Sequence, residues 1–168
     1  MAFCCMAAPA AAQRFSLSAG AGWMPSTFFR TMQSIGGVDF STAYPTYNIN
    51  FTWKINPNLL ATASAIYEYS AADGRTDMPP FNYYHESRYT YGGLMGLTFN
   101  WGNRTWFTWY SSVECGMMGY SASSESPGLR GVTQICPIGL CVGKKAGGFM
   151  EIGYGIKGLF NAGAFLRW

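Results

Sequence analysis

Charge is scarce in this chain. Charged residues make up 11% of its 168 positions, whereas ordinary soluble domains carry about 25%. There is one histidine, and no long apolar run. Residues 15–29 carry no charge, but Ser, Gly, Pro and Thr interrupt them. A membrane-spanning helix needs roughly 18 consecutive apolar residues, so no segment reads as one. Each shortage excludes a class of protein. Little charge with 17% aromatics excludes intrinsic disorder, and the missing Glu/Lys/Leu heptads exclude a coiled coil. A net charge of +3 over the whole chain is no basic stripe, so nucleic acid is not an expected partner. One histidine and no ligand spacing exclude a conventional zinc site. No glycine-rich phosphate loop is present, so no metal or other cofactor is expected. The length suits one domain.

What the chain has is alternation. Residues 47–54 put Tyr47, Ile49, Phe51 and Trp53 on one face and Asn48, Asn50, Thr52 and Lys54 on the other. That is the period of a strand with one apolar and one polar side. The same pattern predicts strands over 14–23, 59–70, 88–101, 105–118, 133–143, 148–157 and 160–168. Some positions break it: Leu60, Ile66, Leu94, Trp106, Phe149 and Phe165 fall on the polar face, and Ser111 on the apolar one. The charges obey it. With phases set by apolar residues alone, Arg14, Lys54, Glu68, Arg88, Glu114, Glu151, Lys157 and Arg167 all land on the polar face. Long connections (24–46, 71–87, 119–132) alternate with short ones (55–58, 102–104, 144–147). A loop of three is expected around Gly158, because Lys157 and Asn161 face the same way.

Eight antiparallel strands could form a sandwich, a soluble barrel or a membrane barrel. The aromatic positions decide. With strand direction alternating, Phe15, Trp53, Phe99, Trp101, Phe107, Trp109 and Trp168 gather on the apolar face at one end. Trp23, Tyr47, Tyr67, Tyr69, Tyr89 and Tyr91 gather at the other. Strand propensity explains the number of aromatics but not their bunching at both ends. An apolar band between two aromatic girdles is the pattern of a transmembrane barrel. The fold class expected is therefore all-β, an eight-stranded antiparallel up-and-down transmembrane barrel over residues 13–168. Eight strands enclose a space about filled by side chains. The eight inward charges are thus expected to form an ion-pair network in a filled, non-channel interior, with Glu151 the acid nearest in height to Arg14, Lys54 and Arg167. Residues 1–12 read as the end of a secretory signal, with an Ala-x-Ala site before Gln13 that removes Cys4 and Cys5. A lipoprotein cysteine is the alternative, which Phe3 disfavours.

The closing segment Val142–Trp168 resembles the last hairpin of small outer-membrane β-barrels of Gram-negative bacteria, the OmpA/OmpX-like group. Phe160, Ala162, Ala164, Leu166 and Trp168 alternate toward a terminal aromatic, similar to the signal read by the barrel assembly machinery. Phe160, Leu166 and Trp168 are its most informative members. The resemblance implies an outer-membrane location. It also implies membrane lipid, lipopolysaccharide and the assembly machinery as partners, and it is nearly silent on activity.

The long connections are the expected functional surface, since loops carry binding on rigid scaffolds. Residues 24–46 hold Phe28, Phe29, Met32, Ile35, Val38 and Phe40, too apolar for a freely solvated loop. They and 71–87 are where another envelope protein would dock. The leading expectation is a non-enzymatic structural, surface-binding or accessory protein. The alternatives are a lipid-modifying enzyme using His85 with Glu86, Ser87, Ser112 or Glu114, a narrow pore, and a soluble ligand-binding barrel. Cys115 and Cys136 share an outward phase on adjacent strands. A loop centred near 125 and 126 sets them opposite each other and admits a cross-strand disulfide. Otherwise both are small lipid-facing residues. Cys141 points inward.

Overall fold

The computed structural model describes residues 14–23, 45–75, 83–104, 106–122 and 127–168, and their side chains except at 70–75, 83–86, 88, 103 and 122. The expected signal segment, most of 24–46, and the side chains of His85, Glu86 and Arg88 lie outside these. Eight strands form the fold: β1 (Phe15–Trp23), β2 (Thr46–Lys54), β3 (Leu59–Arg75), β4 (Tyr83–Asn103), β5 (Phe107–Ala122), β6 (Gly128–Gly143), β7 (Ala146–Gly155) and β8 (Phe160–Arg167). Each pairs antiparallel with its sequence neighbour, and β1 pairs with β8 to close the barrel. The closing seam joins the Arg14 N–H to the Trp168 carbonyl at 3.1 Å and the Trp168 N–H to the Phe15 carbonyl at 3.1 Å. A closed sheet leaves no unpaired edge along its shared length, a requirement for backbone surrounded by lipid.

Alternation appears directly as alternating exposure. Along β2 the odd residues face out and the even ones in. One outward ring runs from Ala19 through Ile49, Ala65, Gly93 and Met117 to Gly131 by successive cross-strand pairs. The exterior is apolar at full exposure: Met95 is 68% exposed, Met150 66% and Val113 58%. In water such a surface would be unstable against association. In a bilayer it is the expected exterior.

The positions that broke the pattern have a shared place. Ile66, Leu94, Phe149 and Phe165 are buried inside the barrel. Ile66 and Leu94 join Met118 and Ile156 in a small apolar core, with Val132 packed against it. Trp106 instead lies exposed in the connection between β4 and β5.

Three expectations are corrected. First, β3 to β6 run far beyond the predicted strands, so only 76–82 and 123–127 separate them in place of 71–87 and 119–132. Above the apolar belt lipid no longer requires one face to be apolar, and the alternation that marks a strand disappears from the sequence. Second, Cys136 faces inward. In the β5–β6 ladder Tyr110 pairs with Gly139 but Ser112 with Cys136, so β6 carries one extra residue at a bulge around Pro137. Proline cannot donate to the ladder and collects at such sites. The bulge flips the phase, leaving Cys136 buried opposite Ser112 and Cys115 exposed opposite Thr133, both as free thiols. Third, Lys157 lies in the four-residue connection 156–159, not on a strand. That connection folds into the barrel, burying Ile156, Lys157 and Gly158.

Candidate functional site

The interior divides into an upper plug and a lower cavity. The plug begins with the β7–β8 connection, which turns inward at two glycines of positive φ, Gly155 and Gly158 (+98°). Gly22 makes room for it, because a Cβ there would lie 1.5 Å from the Lys157 carbonyl oxygen. So placed, the Lys157 ammonium reaches Glu114 on β5 at 2.6 Å and Ser64 on β3 at 2.9 Å. The Ser64 hydroxyl donates to the other Glu114 oxygen at 2.6 Å, closing a three-member ring. The Lys157 N–H is held by the Gln134 side-chain oxygen at 2.8 Å. All four residues are buried, so the ion pair is satisfied by hydrogen bonds at both ends.

A second network lies lower. Glu151 accepts from the Tyr110 hydroxyl at 2.8 Å and from the Asn161 amide at 2.7 Å. Asn161 in turn accepts from Asn48 at 2.9 Å, and Asn48 from Asn50 at 3.0 Å. Thr62 and Thr98 share a hydrogen bond at 3.0 Å. Below them a cavity of about 500 Å³ opens toward the short turns, lined among others by Arg14, Lys54, Arg104, Lys144, Glu151 and Arg167. The interior is therefore filled toward the long-loop end and hollow toward the other.

Seven of the eight charges expected inside lie among the described side chains. Glu114 and Lys157 form a pair. Glu151 is occupied by Tyr110 and Asn161, while Arg14, Lys54 and Arg167 line the same cavity. Arg167 stacks its guanidinium over Phe165 at 4.2 Å. Glu68 is buried on β3, and the side chain of Arg88 lies outside the described residues. Ser64, Tyr110, Asn161 and Gln134 were not singled out from the sequence. Only their inward phase marks them, and Gln134 lies beyond a bulge that scrambles it.

The wider form of the hydrolytic constellation, His85 with Glu114 or Ser112, is not brought together, and the side chains of His85 and Glu86 lie outside the described residues. Glu114 pairs with Gly96, and His85 lies eleven residues further up β4. That separation is roughly 36 Å at about 3.3 Å per residue, so neither Glu114 nor Ser112 meets His85. Among the described residues no group of His, Cys, Asp or Glu is clustered as a metal site.

On the exterior, aromatic side chains stand at both ends of the barrel. At the long-loop end Tyr47 pairs with Tyr67 and Tyr67 with Tyr91, while Tyr69 and Tyr89 place their rings 5.1 Å apart. Trp23 is exposed beside Phe160. At the short-turn end Phe15 stacks on Phe51 at 5.8 Å, and Phe99 meets Trp101 edge-on at 4.7 Å. Trp53, Trp109, Leu166 and Trp168 are exposed there, and Phe107 is half-buried. One polar group on this face has a purpose. Ser111 donates to the Pro137 carbonyl at 2.6 Å and accepts from the Trp101 indole at 2.7 Å. It satisfies a bulged backbone group that lipid could not.

A closed, eight-stranded antiparallel barrel with an apolar exterior and a polar interior defines the class: a small β-barrel of the membrane-spanning type. No protein-family model and no curated protein matches the sequence. Among solved structures the chain is similar to Ail, the attachment invasion locus protein of Yersinia pestis, in complex with the heparin analogue sucrose octasulfate. The likeness covers 92% of this chain and 94% of that one, at 11% identity and a TM-score of 0.41. It is similar to a second structure of Ail over 92% and 93%, at 11% identity and a TM-score of 0.37. Ail is thus a similar structure by these measures, not an identification of this chain.

Proposed function

We propose that the chain is an outer-membrane protein of a Gram-negative bacterium that binds a partner outside the cell through a sheet standing above its barrel, without catalysis. The observation that carries this reading is unequal strand length. β1, β2, β7 and β8 have 9, 9, 10 and 8 residues, whereas β3 to β6 have 17, 21, 16 and 16. Four adjacent strands therefore continue where their neighbours stop. The ladder to β2 ends at Tyr67 while β3 continues to Arg75, roughly 26 Å further at about 3.3 Å per residue. On the other side β7 pairs with β6 only from Gln134, so Gly128–Thr133, paired with β5 along one edge, has no strand along its other edge among the described residues. Such edges present rows of backbone donors and acceptors, and an added strand satisfies them. Long connections face outward in outer-membrane barrels, which directs this sheet away from the cell. The outward row Phe160, Leu166, Trp168 suits recognition by the barrel assembly machinery.

A photo-crosslinking residue at Leu129, which is 67% exposed, tests the reading on intact cells. The expected result is a discrete crosslinked partner or surface ligand, lost when residues 70–86 are replaced by a two-residue turn. An epitope placed between Asp77 and Met78 that antibody reaches only after cell lysis would overturn it.

A further inference from the structure

We propose that the short-turn mouth of the barrel is a binding site for a multivalent oxyanion, a small molecule or headgroup bearing phosphate. The cavity of about 500 Å³ lies in the range of small-molecule sites. Six basic side chains and two carboxylates line it. Both carboxylates are already engaged. Glu114 belongs to Lys157 and Ser64, and Glu151 receives Tyr110 and Asn161. Arg14, Arg104, Lys144 and Arg167 have no carboxylate partner among the described residues.

These cations come from different parts of the wall. Arg14 precedes β1, Lys54 ends β2, Arg104 and Lys144 sit in two of the three short turns, and Arg167 ends β8. They surround the opening instead of crowding one side. Three rest on aromatic rings: Arg167 over Phe165 at 4.2 Å, Lys144 over Trp106 at 4.7 Å and Arg104 over Phe107 at 5.8 Å. A ring holds a cation without neutralising it. Inward of the rim the wall offers hydroxyls and amides from Ser16, Ser18, Asn50, Thr52 and Asn100. Like charges facing one another across a low-dielectric enclosure focus a positive potential, and guanidinium groups match phosphate oxygens two at a time. The site is separate from the protruding sheet and lies at the opposite end of the barrel.

The test uses the purified barrel in zwitterionic micelles at low salt, titrated with inorganic pyrophosphate by calorimetry. Saturable one-site binding is expected, weakening at least tenfold in Arg14→Gln/Lys54→Gln/Arg167→Gln and weakening as salt is added. Arg104→Gln/Lys144→Gln, confined to the turns, is expected to weaken it several-fold with the barrel intact by circular dichroism. Lys145→Gln, outside the cavity, is expected to leave it unchanged. Nanodiscs then separate the sources. Pyrophosphate affinity lowered by phosphatidylglycerol, relative to phosphatidylethanolamine alone, identifies a lipid headgroup as the occupant. Affinity independent of lipid identifies a soluble ligand. No saturable binding, or binding unaltered in both multiple variants, overturns the proposal. Because the assay needs neither cells nor a partner, it stands or falls apart from the external-binding reading.

Discussion

Lys157→Met is the perturbation that most directly probes the plug. The ammonium lies 2.6 Å from Glu114, and each side chain is 2% exposed. At an effective dielectric of about 20 the gross attraction is about 6 kcal/mol, offset by a desolvation cost of several kcal/mol for each ion. The pair itself therefore contributes little net stability. Breaking it is another matter: the variant leaves a buried carboxylate with only the Ser64 hydroxyl donating, and about 3–5 kcal/mol is expected to be lost. Glu114→Gln strands the ammonium and is expected to cost a similar amount. The double variant Lys157→Met/Glu114→Gln removes both charges and keeps a Ser64-to-amide hydrogen bond. It is expected within about 1–2 kcal/mol of the parent, giving a coupling of several kcal/mol. Equilibrium urea unfolding in short-chain phosphatidylcholine vesicles, followed by tryptophan fluorescence, reads all four forms. Additive single losses, within about 0.5 kcal/mol, or a Lys157→Met loss below about 1 kcal/mol, would refute the reasoning.

Three other substitutions test separate parts of the structure in the same assay. Ser111→Ala leaves the Pro137 carbonyl and the Trp101 indole without their shared hydroxyl, and a loss of about 1–3 kcal/mol is expected; no change in urea midpoint would mean that lipid headgroups or water already satisfy them. Gly22→Ala drives a Cβ to 1.5 Å from the Lys157 carbonyl, so the inward connection must leave. Its loss should match or exceed that of Lys157→Met, and proteolysis should newly cut near 156–159. Met95→Arg, on the exterior, should cost about 2–4 kcal/mol near the bilayer midplane, whereas Leu129→Arg, above the belt, should cost under about 0.5 kcal/mol.

Much of the barrel was legible because lipid imposes a strict rule. Outward residues inside the belt are held to be apolar unless, like Ser111, they satisfy another polar group, so Ile49, Phe51, Met95, Leu97 and Val113 print a period of two that survives without long runs. The rule fails in three places, each for a physical reason. Above the belt lipid no longer demands an apolar face, so the upper lengths of β3 to β6 carry no alternation and looked like loops. At Pro137 an inserted residue shifts the phase, which sent Cys136 to the wrong face. Inside the barrel no rule demands polarity, and Ile66, Leu94, Phe149 and Phe165 fill space there. Their appearance as misfits was the signal of an internal core. The pairing inside was the least legible part. Alternation places Ser64, Glu114 and Lys157 inward but says nothing of which meet, and Lys157 arrives through a turn and not along a strand. The cationic mouth was half visible in Arg14, Lys54 and Arg167. Arg104 and Lys144 were hidden by their place in turns.

The central claim is that the outward face of this barrel is solvated by hydrocarbon. A nitroxide scan of β4 from Gly93 to Phe99 in bilayers, in a background with the native cysteines replaced, measures it residue by residue. Oxygen, which concentrates in lipid, should relax labels at 93, 95, 97 and 99, and a water-soluble nickel chelate should not reach them. Labels at 94, 96 and 98 should be shielded from oxygen. Nickel access at 95 and 97 equal to that at exposed turn residues such as Asn58 would contradict the account.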